Sequence, residues 1–103
     1  MKILITSSGN DLLAPLDKRF GRAHWFCLYD QDTSKSTFIE NSYAEAQGGA
    51  GTKTAEKLIE MGVEKVISGQ FGPKAKTMLN KFNIQMIEID EEITIRELIE
   101  KLK

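Results

Sequence analysis

Cysteine, histidine and tryptophan each occur once in this chain of 103 residues, and proline only twice. A lone cysteine closes no intramolecular disulfide, which excludes a disulfide-stapled secreted scaffold. One histidine and one cysteine cannot fill the four protein positions of a closed zinc site. An excess of one charge is missing too: 14 Lys+Arg stand against 15 Asp+Glu, for a formal net charge of −1. The strongly basic face that nucleic-acid binding demands is therefore not expected. No apolar run approaches the roughly 20 residues of a membrane span. The opening Met1-Lys2-Ile3-Leu4-Ile5-Thr6 is too short for a signal peptide and reads as a strand. The expectation is one soluble cytoplasmic domain over residues 1–103, with 41% hydrophobic residues to build its core.

What is present is a punctuated α/β pattern. Lys2 to Thr6 is continuously apolar, as a strand covered on both faces would be, and ends in the turn residues Ser7-Ser8-Gly9-Asn10. Residues 7–22 show no period, and a loop of that length is functional or disordered more often than not. His24 to Tyr29 and Ser36 to Glu40 are apolar and aromatic-rich runs joined by a short polar link, which predicts an antiparallel hairpin. Asn41 to Gly51 is a second irregular stretch. Three helices then alternate with strands at 64–68 and 84–89. One starts at Thr52, carries Ala55, Leu58 and Ile59 and stops before Gly62. The next runs from Pro73 through Ala75, Met78, Leu79 and Phe82 to Asn83. The last, through Ile95, Leu98, Ile99 and Leu102, opens on a capping box of Thr94 and Glu97. The order β-β-β-α-β-α-β-α makes strands four and five parallel with a right-handed crossover.

This topology sends the irregular residues to one place. If strand one is parallel to strand four and strand two antiparallel, the segments Ser7-Ser8-Gly9, Arg19-Phe20-Gly21-Arg22, Gly48-Gly49-Ala50-Gly51 and Gly69-Gln70-Phe71-Gly72 converge on the carboxyl edge of the sheet. All glycines but Gly62 lie there. Open α/β sheets bind ligands at that edge, where the strand order reverses. Two helices also begin there, and their N-termini favour an anion. Arg19, Arg22, Lys53 and Lys74 lie close to the same rim, where arginine can fork onto an anionic surface. A compact anionic ligand held by this rim is one reading; turn glycines and solvated cations are the other.

The single histidine, His24, opens strand two beside the rim. It is open to two readings, a ligand to a metal or cluster and a residue packed at a strand end. Cys27, three residues on, faces the opposite side of the strand and reads as core. Trp25 reads as packing. Catalytic constellations are poor. Strand one carries no carboxylate, unlike metal-dependent nucleases of related sheet order, and Asp11 and Asp17 are only loop carboxylates. Ser7 and Ser8 lack a histidine–acid partner, and both nucleotide-binding glycine fingerprints are missing.

The segments Leu16-Asp17-Lys18-Arg19-Phe20-Gly21-Arg22-Ala23, Gly48-Gly49-Ala50-Gly51 and Gly69-Gln70-Phe71-Gly72-Pro73-Lys74-Ala75, in this order across almost the whole chain, carry a resemblance. The sequence resembles the nitrogenase iron–molybdenum cofactor-binding family, which includes NifX, NafY and the C-terminal domain of NifB. The resemblance implies a ribonuclease-H-like motif, a five-stranded mixed sheet with helices on both faces and strand two antiparallel. It also implies binding or carrying of an anionic iron–sulfur-based or iron–molybdenum-type cluster between metal-cluster assembly proteins, without catalysis. Arg19, Gly21, Arg22, Gly48, Gly49, Gly51, Gly69, Gly72 and Lys74 are the expected cofactor-binding residues, and His24 matches by position a histidine associated with cofactor binding in the family. A protein-interaction module using the same rim, with an apolar patch around Phe20, Trp25 or Phe71, is the alternative expectation. An enzyme acting on a small phosphorylated substrate ranks third.

Overall fold

The computed structural model describes residues 1–103. Strands β1 (Lys2–Ser7), β2 (Trp25–Asp30) and β3 (Lys35–Glu40) are followed by helix α1 (Ala50–Glu60), β4 (Lys65–Ser68), α2 (Pro73–Lys81), β5 (Gln85–Glu88) and α3 (Ile95–Leu102). The sheet has the order β3-β2-β1-β4-β5. β1 pairs antiparallel with β2 and parallel with β4, β2 pairs antiparallel with β3, and β4 pairs parallel with β5. This is the expected five-stranded mixed sheet.

The period-two alternation of side chains along a strand splits the core between two faces. Leu4, Phe26 and Val66 point to one face and pack with Ala55, Leu58, Ala75 and Leu79 of α1 and α2. Ile3, Ile5, Cys27, Tyr29 and Ile67 point to the other and pack with Ile95, Leu98 and Ile99 of α3. The continuous apolarity of β1 follows from this double cover: Ile3, Leu4 and Ile5 are all fully buried.

Helix ends follow local chemistry. Gly62 (φ 75) and Asn83 (φ 59) take the left-handed conformation just past α1 and α2. Thr94 and Glu97 form the reciprocal capping box of α3, with Glu97 N donating to Thr94 Oγ1 at 3.1 Å and Thr94 N to Glu97 Oε1 at 3.0 Å. Two expectations differ from the structure. α1 begins at Ala50, not Thr52, because Gly49 (φ 68) caps it through its backbone conformation and leaves no side-chain signal; Gly51 therefore lies in the helix. Phe82 is not a core residue but 53% exposed, because the chain leaves the helix at Asn83 and Ile84 takes the inward position.

Candidate functional site

The loop over residues 8–24 contains no regular element, but it is pinned at both ends and divides at Leu16. Its first half follows the start of α3: Leu16 N donates to Ile93 O at 2.8 Å, Ile95 N to Ala14 O at 2.9 Å and Arg96 N to Leu12 O at 2.8 Å. Ser8 is tied to this half, its N donating to Pro15 O at 3.1 Å. Its second half crosses to the other face, anchored by a buried network. Thr6 Oγ1 sits 2.6 Å from Asp17 O and 2.7 Å from Ser68 Oγ, joining the carboxyl ends of β1 and β4 to the loop. Gln70 N donates to Lys18 O at 2.7 Å and Phe20 N to Gln70 O at 3.1 Å, a short parallel bridge between two loops. Beneath it the Phe20 and Phe71 rings pack at 5.0 Å between centroids.

Two glycines permit this construction. A Cβ on Gly69 would lie 2.6 Å from Lys18 O, and one on Gly21 would lie 2.6 Å from Gly51 N. Backbone meets backbone at both points, so any side chain there would force the loops apart. Asn41 supplies a further tie: buried, it donates through Nδ2 to Ala23 O at 2.8 Å and Gly21 O at 3.2 Å.

The result is a cleft of about 870 Å³ between the second half of the loop, the start of α1 and the start of α2. Its volume falls within the range of small-ligand sites. Arg19, Gly21, Arg22, Gly49, Gly51, Gly72 and Lys74 line it together. Gly48, Gly69 and His24 do not: Gly69 is buried below the wall it makes possible, Gly48 is exposed, and His24 is exposed on the segment leading into β2. Lys53 is exposed as well, its Nζ 6.0 Å from the Tyr43 ring centroid.

The cleft is electropositive although the chain is not. Arg19, Arg22, Lys74 and Lys76 line it against one carboxylate, Glu88. Lys76 pairs with Glu88 at 3.2 Å. Arg19 is forked onto the buried Asp17, Nε to Oδ1 at 3.2 Å and Nη2 to Oδ2 at 3.1 Å, and these bonds raise the arginine above its ordinary pKa. Arg22 Nη1 donates to the carbonyl oxygens of Ala44 and Ala46, which orient it without neutralising it. Lys74 makes no ion pair, so Arg22 and Lys74 carry the uncompensated charge.

Both helix starts face this space uncapped. Neither Gly49 nor Gly72 offers a side chain, and neither first turn holds an acidic residue. The first intrahelical bonds run from Lys53 N to Gly49 O and from Lys76 N to Gly72 O. The N–H groups of Ala50, Gly51, Thr52, Lys74 and Ala75 come before them, and all five residues line the cleft. α3, by contrast, satisfies its own terminus with its capping box.

The donor set does not form a metal cage. Nowhere are three His, Cys, Asp or Glu side chains gathered closely enough to hold a metal ion. Cys27 is buried on the α3 face, and burial pushes its thiol up to about 11. What the site can do is cradle an anion. Two of its residues were only partly legible in the sequence. Asp17 accepts from Arg19 N at 3.0 Å and Asn41 from Tyr43 N at 3.0 Å, local turns that Asp and Asn favour. The bonds from Asn41 to Gly21 O and Ala23 O, about 20 residues away, depend on the fold.

An open α/β sheet with an electropositive cleft at its carboxyl edge, where the strand order reverses, defines the doubly covered mixed-sheet class, in which that edge is the usual place for a ligand. Residues 1–103 match the family described as dinitrogenase iron–molybdenum cofactor, and the chain belongs to that family. An uncharacterized protein of Methanocaldococcus jannaschii is 28% identical over 89 residues, covering 84% of this chain and 72% of the relative. Among solved structures, the apo form of the orange protein from Desulfovibrio gigas superposes with a TM-score of 0.90 at 29% identity, covering 98% of this chain and 85% of that one. A Thermotoga protein assigned as NifB in the DUF35 family superposes with a TM-score of 0.83 at 31% identity, with the same coverage. No helix is long and apolar enough to cross a membrane.

Proposed function

We propose that this chain binds and carries an anionic iron–sulfur-based cluster of the iron–molybdenum cofactor type during cofactor assembly, without turnover of its own. The observation that carries this reading is the convergence of two uncapped helix N-termini with Arg22 and Lys74 on one cleft, in a chain whose net charge is −1. Membership of the cofactor family narrows the anion. The apo form of the Desulfovibrio relative implies that this relative also exists with a group bound.

The donor chemistry suits a cluster that brings its own sulfide ligands. Free N–H groups and guanidinium edges can surround sulfide, while a bare metal ion would find no ligand set. Gly21, Gly49, Gly51 and Gly72 keep backbone close to the cargo, and Gly48 and Gly69 shape the loops behind it. Arg19, fixed by Asp17, lines the wall. His24, the single imidazole, is exposed and lies outside the cleft lining; its role as ligand to a terminal metal of the cargo rests on its position in the family pattern. One ligand plus electrostatics is apt for a carrier, which must release what it holds. The donor and acceptor would be metal-cluster assembly proteins of the cytoplasm.

Anaerobic reconstitution with iron and sulfide, and separately with an isolated nitrogenase cofactor precursor, tests the reading by absorbance, EPR and gel filtration. Stoichiometric retention that weakens in both Arg22→Ala and His24→Ala is expected. Retention unchanged by either substitution, or no retention from either source, would overturn it. The interaction reading placed its apolar patch at Phe20, Trp25 or Phe71, but Phe20 and Phe71 are 2% and 7% exposed. The exposed aromatic is Phe82.

A further inference from the structure

We propose that one exposed stripe of α2 is a docking surface for an acidic, amphipathic segment of a partner protein. Lys74, Thr77, Met78, Lys81 and Phe82 follow one another at i, i+3, i+4, i+7 and i+8, so they share one face of the helix and its cap. The adjoining face, through Ala75 and Leu79, is spent on the core, and Met78 packs against that core from the edge of the stripe. The stripe forms a shallow groove of about 520 Å³ whose lining carries two cations, Lys74 and Lys81, and no carboxylate.

Phe82 lies at one end of the groove, 53% exposed, with Met78 half-buried beside it. An aromatic left in water beside a thioether is surface that a partner can desolvate. The charge chooses the occupant. α2 holds three lysines and no acidic residue; Lys76 is paired with Glu88, whereas Lys74 and Lys81 have no ion-pair partner. An incoming helix with a large apolar side chain flanked by Asp or Glu would meet Phe82 and Met78 with the former and the two lysines with the latter.

The groove is continuous with the cleft. Thr52, Pro73 and Lys74 line both. A partner seated on α2 would thus border the mouth of the anion site and share Lys74 with whatever the cleft holds. The docking surface itself does not depend on the identity of that cargo.

The test uses the full chain, labelled with 15N, and two synthetic helical peptides with the same apolar positions, one flanked by Glu and the other by Lys. The Glu peptide is expected to shift the amide signals of Thr77, Met78, Lys81 and Phe82 saturably, and the Lys peptide to leave them unmoved. Phe82→Ser and Lys81→Glu should each weaken the Glu peptide about tenfold. Both side chains are exposed, so circular dichroism should show each variant folded. Four results would overturn the proposal. These are no saturable shift, equal shifts with both peptides, shifts confined to Gly49–Thr52 as the carboxylates enter the cleft, or a dimer in the absence of peptide that Phe82→Ser dissolves, which would make a second copy the occupant.

Discussion

Replacing Gly69 with alanine tests whether the cleft depends on backbone packed against backbone. The new methyl carbon would sit 2.5 Å from Lys18 Cα and 2.6 Å from Lys18 O. Neither atom is the free end of a side chain, so the two loops must separate. Separation strains the 2.7 Å bond from Gln70 N to Lys18 O and the 3.1 Å bond from Phe20 N to Gln70 O. Overpacking of this kind costs about 1–3 kcal/mol and each lost hydrogen bond about 1 kcal/mol. Because relaxation relieves part of one by giving up the other, the expected loss is about 2–4 kcal/mol. Urea unfolding measures it as a lower midpoint at constant slope. Gly72→Ala is the matched control. At φ −65, with nothing within 4 Å of a built Cβ, it should change stability by no more than about 1 kcal/mol. A Gly69→Ala loss below about 1 kcal/mol, or one equal to that of Gly72→Ala, would refute the close-packed account of the wall.

Thr94→Ala removes the hydroxyl half of the α3 capping box and should destabilise the chain by about 1 kcal/mol, read as a drop in Tm of about 4–8 °C. Burial raises the Cys27 thiol from 9.0 to about 11, so above the lower value the unfolded chain ionises while the folded one keeps its proton. Stability should therefore fall by about 2–3 kcal/mol as pH rises from about 9 to about 11 and then level off. Urea titrations across that range in the native chain and in Cys27→Ala, where this component of the decline should vanish, check the sign. Lys74→Gln should leave Tm unchanged, since this exposed side chain makes no ion pair, but weaken cluster retention about threefold at low salt and less at high salt. Equilibrium dialysis of the reconstituted protein at two ionic strengths would show it.

Much of this fold was legible in the sequence because its causes are local. Continuous apolarity marked β1 as a strand covered on both faces, and the i, i+3, i+4 spacings marked α1, α2 and α3. Gly62 and Asn83 stopped two helices in the left-handed conformation, and Thr94 with Glu97 opened the third. Where local signals were silent, the reading slipped. Gly49 caps α1 through its φ alone, so the helix was expected two residues late. Phe82 fits the helical period as well as Leu79 does, and only the turn at Asn83 sends it outward.

Composition, period and punctuation thus determined the element order, because each rests on residues close together in the chain; the pairing of β1 with β4, about 60 residues apart, and with it the sheet order, does not. Which rim residues form a site was decided by contacts between distant segments. Lys18 meets Gly69, Gly21 meets Gly51, and Thr6 joins Asp17 to Ser68. Ser7–Gly9 and His24, though the sequence puts them near the same edge, stay outside the cleft lining. Charge behaves only partly likewise: Asp17 neutralises Arg19 from two residues away, but tertiary geometry keeps Lys53 out of the cleft lining, brings Glu88 to Lys76 and leaves Arg22 and Lys74 without an ion pair. The physical reason is that a helix or strand needs only its own neighbours, whereas a field inside a cleft depends on which opposite charge comes within a few ångströms.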